Sequence, residues 1–330
     1  MKKIGLGLIG LGYIGKTHLR NCLRLQSAKL IAVADISKKA LAFAKKMGIK
    51  NLYQDYRELL KNEKIDAVII ALPTYMHSIC AQEAAEAGKH IFIEKPLARN
   101  VYEGKEIVAK ARKNCVKLMV GYPFRFASPF RRLKQDLVNG SLGEIQTTHA
   151  TFIDSGPFFH RSEGFIPRPV PKWWFKKEKI GGGALLDQGS HLINLLRWYF
   201  GEVIDAKGYL GYRFNLEIED YAVCILKFRQ DQLAIVNVGW YSMQGIIKIE
   251  FYGTMKHAMA SHNPSPKLIT AIQLLTGKIT PKFDKPYVKE LQYMVYCIKN
   301  DLTPSVSGQD GLKDLETIYK IYKSLNTNKR

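Results

Sequence analysis

The sequence predicts two architectures in succession. Residues 1–122 read as a doubly wound parallel α/β sheet. Residues 123–330 read as an α+β domain built on a large, mostly antiparallel open sheet with helices. Three observations carry this. Short apolar runs alternate with helical stretches through the first 121 residues, the pattern of parallel strands joined by crossover helices. From residue 145 onward, alternation at every second residue takes over, with hairpin-style turns between the later segments. A glycine-punctuated turn, Gly10-Leu11-Gly12-Tyr13-Ile14-Gly15, directly follows the first apolar run.

Residues 3–9 form the first strand and Lys16–Gln26 the first helix. In the G-x-G-x-x-G turn between them, Gly10 permits a tight bend and Gly12 lets backbone approach a pyrophosphate. Gly15 lets the helix pack closely on the strand. The N–H groups and dipole at the helix start favour phosphate charge. The turn therefore points to a dinucleotide, with Tyr13 and Ile14 among its contacts, and to a Rossmann domain. The second strand, Leu30–Ala34, ends in Asp35, 20 residues after Gly15, the spacing of a ribose-binding acid. A carboxylate there accepts from both ribose hydroxyls and repels a 2′-phosphate, which favours NAD over NADP. Lys38 and Lys39 nearby keep NADP in view, and Asp35 could instead cap the helix Ser37–Met47.

The alternation continues with a strand at Asn51–Tyr53 and a helix at Tyr56–Lys61. The apolar strand Ala67–Leu72 ends in Pro73-Thr74 and is followed by the helix Ser78–Ala87. Leu72, Pro73 and Thr74 lie at the carboxyl edge of the sheet, where open α/β sheets bind ligands. His77 starts the next helix at that edge, as a cofactor contact or as a capping or packing histidine. The fifth strand, Ile91-Phe92-Ile93, runs into Glu94-Lys95-Pro96, where the proline forbids its continuation. Lys95 is thereby placed at a cleft mouth with Glu94 beside it, although a solvated ion pair would read the same on these residues alone. The helix Tyr102–Lys113 and the strand Val116–Gly121 complete the sheet.

In the second half, Tyr122-Pro123 and Arg125-Phe126 precede a basic amphipathic helix, Pro129–Val138. Strands are expected at Ile145–Ile153, Val203–Leu210, Asp220–Phe228, Leu233–Tyr241 and Ile246–Tyr252. Helices are expected at Val288–Asn300 and Leu312–Ser324, the last of which could pack back on the first domain. The irregular stretch Asp154–Lys179 is rich in proline and aromatics, including Pro157, Phe158, Phe159, Pro167, Pro169, Pro171, Trp173, Trp174 and Phe175. Loops of this length inside compact domains tend to be functional, and adjacent tryptophans can wall a sugar ring or nucleobase. The run Gly181-Gly182-Gly183 then opens a helix over Ala184–Phe200. Asp187 and His191 are four residues apart on it and share a face. Asp187 can orient or charge-stabilise the imidazole, an arrangement suited to general acid/base work. A third ligand of suitable spacing is missing, so the pair is not read as a metal site.

Composition narrows the partners. The formal charge of +21 is spread along the chain, with no arginine-rich arm or helix-turn-helix pattern, so a lysine-rich surface is favoured over nucleic-acid binding. No apolar run approaches the roughly 20 residues that cross a bilayer. Five scattered cysteines without C-x-x-C spacing fit reduced thiols. A cytoplasmic location without membrane or nucleic-acid partners is expected.

These pieces together resemble the glucose-fructose oxidoreductase/inositol dehydrogenase family over essentially the whole chain. The resemblance rests on GLIGLGYIGKTHL (7–19), the Asp35 strand end, ALPTYMHSICAQEAAEAGKHIFIEKPLA (71–98), VGYPFRFASPFRRLK (120–134) and GGGALLDQGSHLINLLRW (181–198). It implies a catalytic lysine in the E-K-P motif, Lys95, and the D-x-x-x-H pair Asp187 and His191. It also implies a nicotinamide cofactor along the glycine turn and a sugar, polyol or sugar-nucleotide substrate. Many members carry an acid three residues after the histidine, where this chain has Asn194. Tyr122, Arg125 and Asn194 are candidate substrate contacts. The expected activity is hydride transfer between NAD(P) and a secondary alcohol or ketone, by a homodimer or homotetramer. A non-catalytic dinucleotide and sugar sensor, or a reductase of a non-sugar carbonyl or imine, are the alternatives.

Overall fold

The computed structural model describes residues 3–158, 170–243, 245–262 and 285–324. Phe159, Pro167 and Pro169 of the aromatic loop lie outside the described residues. The first domain is a six-stranded parallel sheet in the order β3-β2-β1-β4-β5-β6. Its strands are β1 (Ile4–Ile9), β2 (Ala28–Ala34), β3 (Asn51–Tyr53), β4 (Ala67–Ile70), β5 (His90–Glu94) and β6 (Leu118–Gly121). The helices between them are α1 (Tyr13–Cys22), α2 (Lys38–Lys46), α3 (Tyr56–Leu60), α4 (His77–Glu86) and α5 (Val101–Lys113). All four residues of β4 are buried, as expected for a strand covered on both faces. The strand order reverses between β1 and β4, and a crevice opens there at the carboxyl ends.

The second domain carries α6 (Ser128–Val138) and a six-stranded sheet in the order β12-β11-β7-β10-β9-β8. The strands are β7 (Ile145–Ile153), β8 (Val203–Gly211), β9 (Tyr221–Phe228), β10 (Leu233–Gly239), β11 (Ile246–Gly253) and β12 (His257–Ser261). β7 and β10 run parallel and the other neighbours antiparallel. The edge strand β12 is short, and its sequence lacks the clean alternation that marks β9. In β9 burial alternates strictly, so Ala222, Cys224, Leu226 and Phe228 face the core. Phe200 packs on Phe228 and Phe251 at ring separations of 5.3 and 5.1 Å. Each such buried aromatic contributes about 2–3 kcal/mol.

The run expected as one helix over Ala184–Phe200 is two structures. Leu185–Gly189 forms a π turn after a short helix, α7 (Lys177–Ile180), and α8 (Ser190–Phe200) follows. The chain closes with α9 (Pro286–Lys299) and α10 (Gly308–Ser324). α10 lies on α5 and β6 of the first domain, where the Tyr319 hydroxyl donates to the Arg99 carbonyl at 2.6 Å. Gly104 of α5 permits this approach, since a Cβ there would sit 3.1 Å from both Leu312 and Leu315. Among the described residues, no helix is long and apolar enough to cross a membrane.

Candidate active site

A cleft of about 580 Å³ lies where the carboxyl edge of the first sheet meets the second domain. Its first wall is the glycine turn. Gly15 is needed for packing, because a Cβ there would lie 2.0 Å from the Gly10 carbonyl oxygen. Gly12 differs: a Cβ would meet nothing within 4 Å, so the position opens into the cleft. Gly12 caps α1 without a side-chain hydrogen bond, and no acid occupies the first turn. The helix start thus keeps N–H groups and a positive dipole end for an anionic ligand.

Asp35 closes this corner. Its Oδ2 accepts the Leu11 N–H at 2.6 Å and its Oδ1 the Ser37 N–H at 2.8 Å. The cap of α2 is Ser37, whose hydroxyl accepts the Ala40 N–H, so Asp35 is not consumed as a helix cap. An open glycine, an uncapped helix start and a carboxylate at the end of β2 fit a pyrophosphate and an unphosphorylated ribose. These residues would hold NAD.

The next wall comes from β4 and β5. Leu72, Pro73, Thr74, Glu94 and Lys95 line the cleft together with Tyr13 and Ile14. His77 does not reach it. Its ring is buried between the carbonyls of Pro96 and Leu72, at 2.9 and 3.0 Å, and ties the two strand ends together. His77 takes the packing role that the sequence left open. The Lys95–Pro96 peptide is cis.

The second domain meets Lys95 through the π turn. The Lys95 ammonium pairs with the Asp187 carboxylate and donates to the Asp187 main-chain carbonyl at 3.2 Å. The buried Glu219 secures the start of the turn by accepting the N–H groups of Gly183 and Leu185 at 2.9 and 3.1 Å. Gly183 is obligatory here, since a Cβ would lie 1.8 Å from the Glu219 carbonyl oxygen. His191 follows on α8 and also lines the cleft. The expectation that Asp187 orients His191 is corrected: the wide π turn gives the carboxylate to Lys95 instead. The imidazole sits among Phe124, Tyr122 and Phe152 at ring separations of 4.8, 5.8 and 5.9 Å. Its Nδ1 has no partner among the described residues. Burial, and then the charge of Lys95, hold His191 well below its ordinary pKa, so the ring is neutral and able to take a proton.

None of the three expected substrate contacts, Tyr122, Arg125 and Asn194, lines the cleft. Arg125 Nε donates to Asn194 Oδ1 at 2.7 Å, and Asn194 Nδ2 donates to Asp314 Oδ2 at 2.7 Å. Arg197 Nη1 completes this buried network on Asp314 at 2.6 Å. Arg125 and Asn194 therefore lock α8 to α10 behind the cleft, and neither lines it. Tyr122 is likewise buried and packs edge-on behind His191.

Sequence reasoning passed over several lining residues. Asp154 stands at the end of β7, and its Oδ1 accepts from Gln188 at 2.6 Å and from the Gly156 N–H at 2.7 Å. Gln188 in turn accepts the Gly239 N–H at 3.0 Å. Tyr287 comes from α9. An acid closing a strand was the available signal for Asp154; Gln188 and Tyr287 carried none. Trp173 and Trp174 wall the cleft, as their adjacency suggested.

The sequence profile of an oxidoreductase family with an NAD-binding Rossmann fold matches residues 4–122, and that of the GFO/IDH/MocA C-terminal domain matches residues 130–258. The uncharacterized oxidoreductase YrbE of Bacillus subtilis is 31% identical over 94% of this chain and 91% of its own length. The myo-inositol 2-dehydrogenase of Thermotoga maritima is 28% identical over 97% and 96%. The crystal structure of scyllo-inositol dehydrogenase from Lactobacillus casei with bound NAD(H) and scyllo-inositol superposes with a TM-score of 0.80. It covers 99% of this chain and 98% of its own at 22% identity, a likeness of fold. With both halves matched in order and a relative above 30% identity spanning the chain, the protein belongs to the GFO/IDH/MocA family of oxidoreductases and uses NAD.

Proposed function

We propose that the enzyme is a dehydrogenase that oxidises a secondary alcohol of a sugar, polyol or sugar nucleotide, reversibly, with Lys95, Asp187 and His191 as its catalytic residues. The observation that carries this reading is the meeting of Lys95 from one domain with Asp187 of the π turn and His191 of α8 from the other, beside the glycine turn. NAD, when bound, supplies the hydride acceptor. Lys95 donates a hydrogen bond to the substrate oxygen and stabilises the negative charge that grows there. His191, neutral before reaction, takes the hydroxyl proton. Asp187 holds the ammonium in place between turnovers. Phe152, Trp173 and Trp174 exclude water and face the apolar side of the ring, while Asp154 and Gln188 serve its other hydroxyls. The names of the inositol dehydrogenases among the relatives support a polyol. A homodimer or homotetramer in the cytoplasm completes the proposal.

The test incubates the purified enzyme with NAD and a panel of inositols, aldoses and nucleotide sugars and follows reduced nicotinamide. Reduction with at least one compound is expected, lost in Lys95→Ala and in His191→Ala while NAD binding survives. Binding of cofactor and sugar without reduction would favour a sensor, and undiminished turnover in either variant would refute the assignment.

A further inference from the structure

At the edge of the cleft, and reaching behind it from Glu94, lies a group of titratable side chains that the chemistry above leaves unused. His18 of α1, Glu94 at the end of β5 and Glu290 of α9 are all buried, and one donor or acceptor atom from each lies within 4.8 Å of the others. His18 Nε2 and Glu94 Oε1 are 2.6 Å apart, and Glu94 Oε2 accepts the Lys95 main-chain N–H at 3.3 Å. Glu290 is wholly buried, and neither of its carboxylate oxygens has a partner among the described residues. An ionised carboxylate in that position, without a partner, is strongly disfavoured. A carboxylic acid has an O–H to give, and Glu94 is the acceptor that the cluster offers.

The surroundings favour the protonated form. The titratable groups packed around Glu290 and its neighbour Tyr287 are His18 and Tyr13 from α1, Glu94 from β5, and Asp187 from the π turn. Lys95 directs its ammonium at Asp187. Burial, and then the charge of Glu94, push the Glu290 carboxyl well above the usual carboxylate range.

We propose that Glu290 is a buried carboxylic acid whose proton is shared with Glu94, and that the His18–Glu94–Glu290 set positions Lys95 by bracing the strand end that carries it. The set ties three elements of both domains together: the helix of the glycine turn, the strand of the lysine, and a helix of the second domain. Glu290 acts through Glu94 and is a positioning residue. Its effect on Lys95 rests on the dehydrogenase reading; the shared proton does not.

Three measurements on the full chain test this. In infrared spectra, the wild type should show a protonated carboxyl band that shifts in D2O and is lost in Glu290→Gln. Because native Glu290 keeps a proton that the unfolded chain has released, wild-type stability should fall as pH rises above the ordinary glutamate range. The Tm difference between Glu290→Gln and wild type should therefore grow with pH. In kinetics, Glu290→Ala should lose tenfold or more in kcat, and Glu290→Gln, whose amide can donate to Glu94, should recover most of it. Three results would overturn the proposal: no protonated band, a Tm difference flat in pH, or a Gln variant as impaired as the Ala variant. A stoichiometric divalent metal in the wild type that is lost in Glu290→Gln would also overturn it and make the cluster a metal centre. If no substrate is turned over, the infrared and stability measurements still decide the shared proton.

Discussion

Lys95 donates to Asp187 twice, once to the carboxylate and once, at 3.2 Å, to the main-chain carbonyl of the same residue. The two residues come from different domains, so the pair defines the distance between the cofactor edge and the substrate wall. Removing the carboxylate charge should misplace the ammonium without emptying the site. Asp187→Asn is expected to lower kcat roughly 10- to 100-fold with little change in the KM for NAD. Lys95→Ala should lower it roughly 100- to 10,000-fold, within the range of a lost catalytic donor or proton carrier. The double variant should be scarcely worse than Lys95→Ala, because the two side chains act as a unit. Additive losses would show that Asp187 works independently of the lysine.

His191 carries a pH prediction whose sign is opposite to that of a paired surface histidine. Burial and the nearby Lys95 charge depress its pKa. An unfolded histidine binds a proton below about pH 6.5, and native His191 does not until lower pH. In that window the unfolded chain holds the extra proton, so stability falls as the pH drops through it. Thermal unfolding of His191→Phe should show a shallower loss of Tm on the acid side than the wild type. The acid limb of kcat/KM in the wild type should lie below the ordinary histidine value. A limb at or above that value would mean that the imidazole is charged in the free enzyme.

Asp35 should decide the choice of cofactor. Its carboxylate is held on the Leu11 and Ser37 N–H groups, so its position is fixed before any ligand arrives. Asp35→Ser should weaken NAD binding roughly 10- to 100-fold, the value of one or two charge-assisted hydrogen bonds. It should also narrow the gap to NADP, because repulsion of the 2′-phosphate is gone. Titration of both cofactors by fluorescence checks this, and an unchanged NAD/NADP ratio would remove Asp35 from the ribose site.

The face of the second sheet turned away from α8 and α10 bears on assembly. Val223, Ile225 and Ile235 are 42, 52 and 39% exposed, and Ile225 lies opposite Ile235 across the β9–β10 ladder. Tyr209, Tyr252 and Met259 extend the exposed apolar surface over neighbouring strands. An apolar surface this broad is where the proposed homo-oligomer would associate. Ile225→Glu with Ile235→Glu places two like charges side by side and should dissociate the proposed homo-oligomer. Sedimentation should then report a smaller particle with unchanged far-UV circular dichroism. A wild type that sediments as a monomer would sink the assembly proposal outright.

How far the sequence could be read follows from which forces are local. The glycine turn, the ends of β2, β4 and β5, and the strict alternation of β9 are set by neighbours a few residues apart, and these elements end within two residues of where they were expected. The π turn was hidden because its anchor is distant: Glu219, more than thirty residues later in the chain, accepts N–H groups at its start. The same distance concealed the true partner of Asp187. His191 is near it in sequence, but Lys95, 92 residues away, is the one it meets. Tyr287 and Glu290 reach the cleft region because α9 packs on α1 and on the turn Pro123–Phe126, contacts that no periodicity encodes.

Asn194 supplies the last prediction, since its place reverses a sequence expectation. It accepts from Arg125 and donates to Asp314, so it bridges a buried cation and a buried carboxylate rather than a substrate hydroxyl. Asn194→Ala leaves both partners short of a hydrogen bond in a buried site. The expected loss is about 1–3 kcal/mol per stranded group, read as a clear fall in Tm and in the denaturation midpoint. Substrate KM should stay within about twofold, a difference of roughly 0.4 kcal/mol. Asn194→Asp would bring a second carboxylate against Asp314, and the hydrogen bond that Nδ2 donates would become a repulsion. That variant should be the less stable of the two, with its deficit shrinking as pH falls and a carboxyl is protonated. A large rise in KM with unchanged stability in either variant would return Asn194 to the substrate wall.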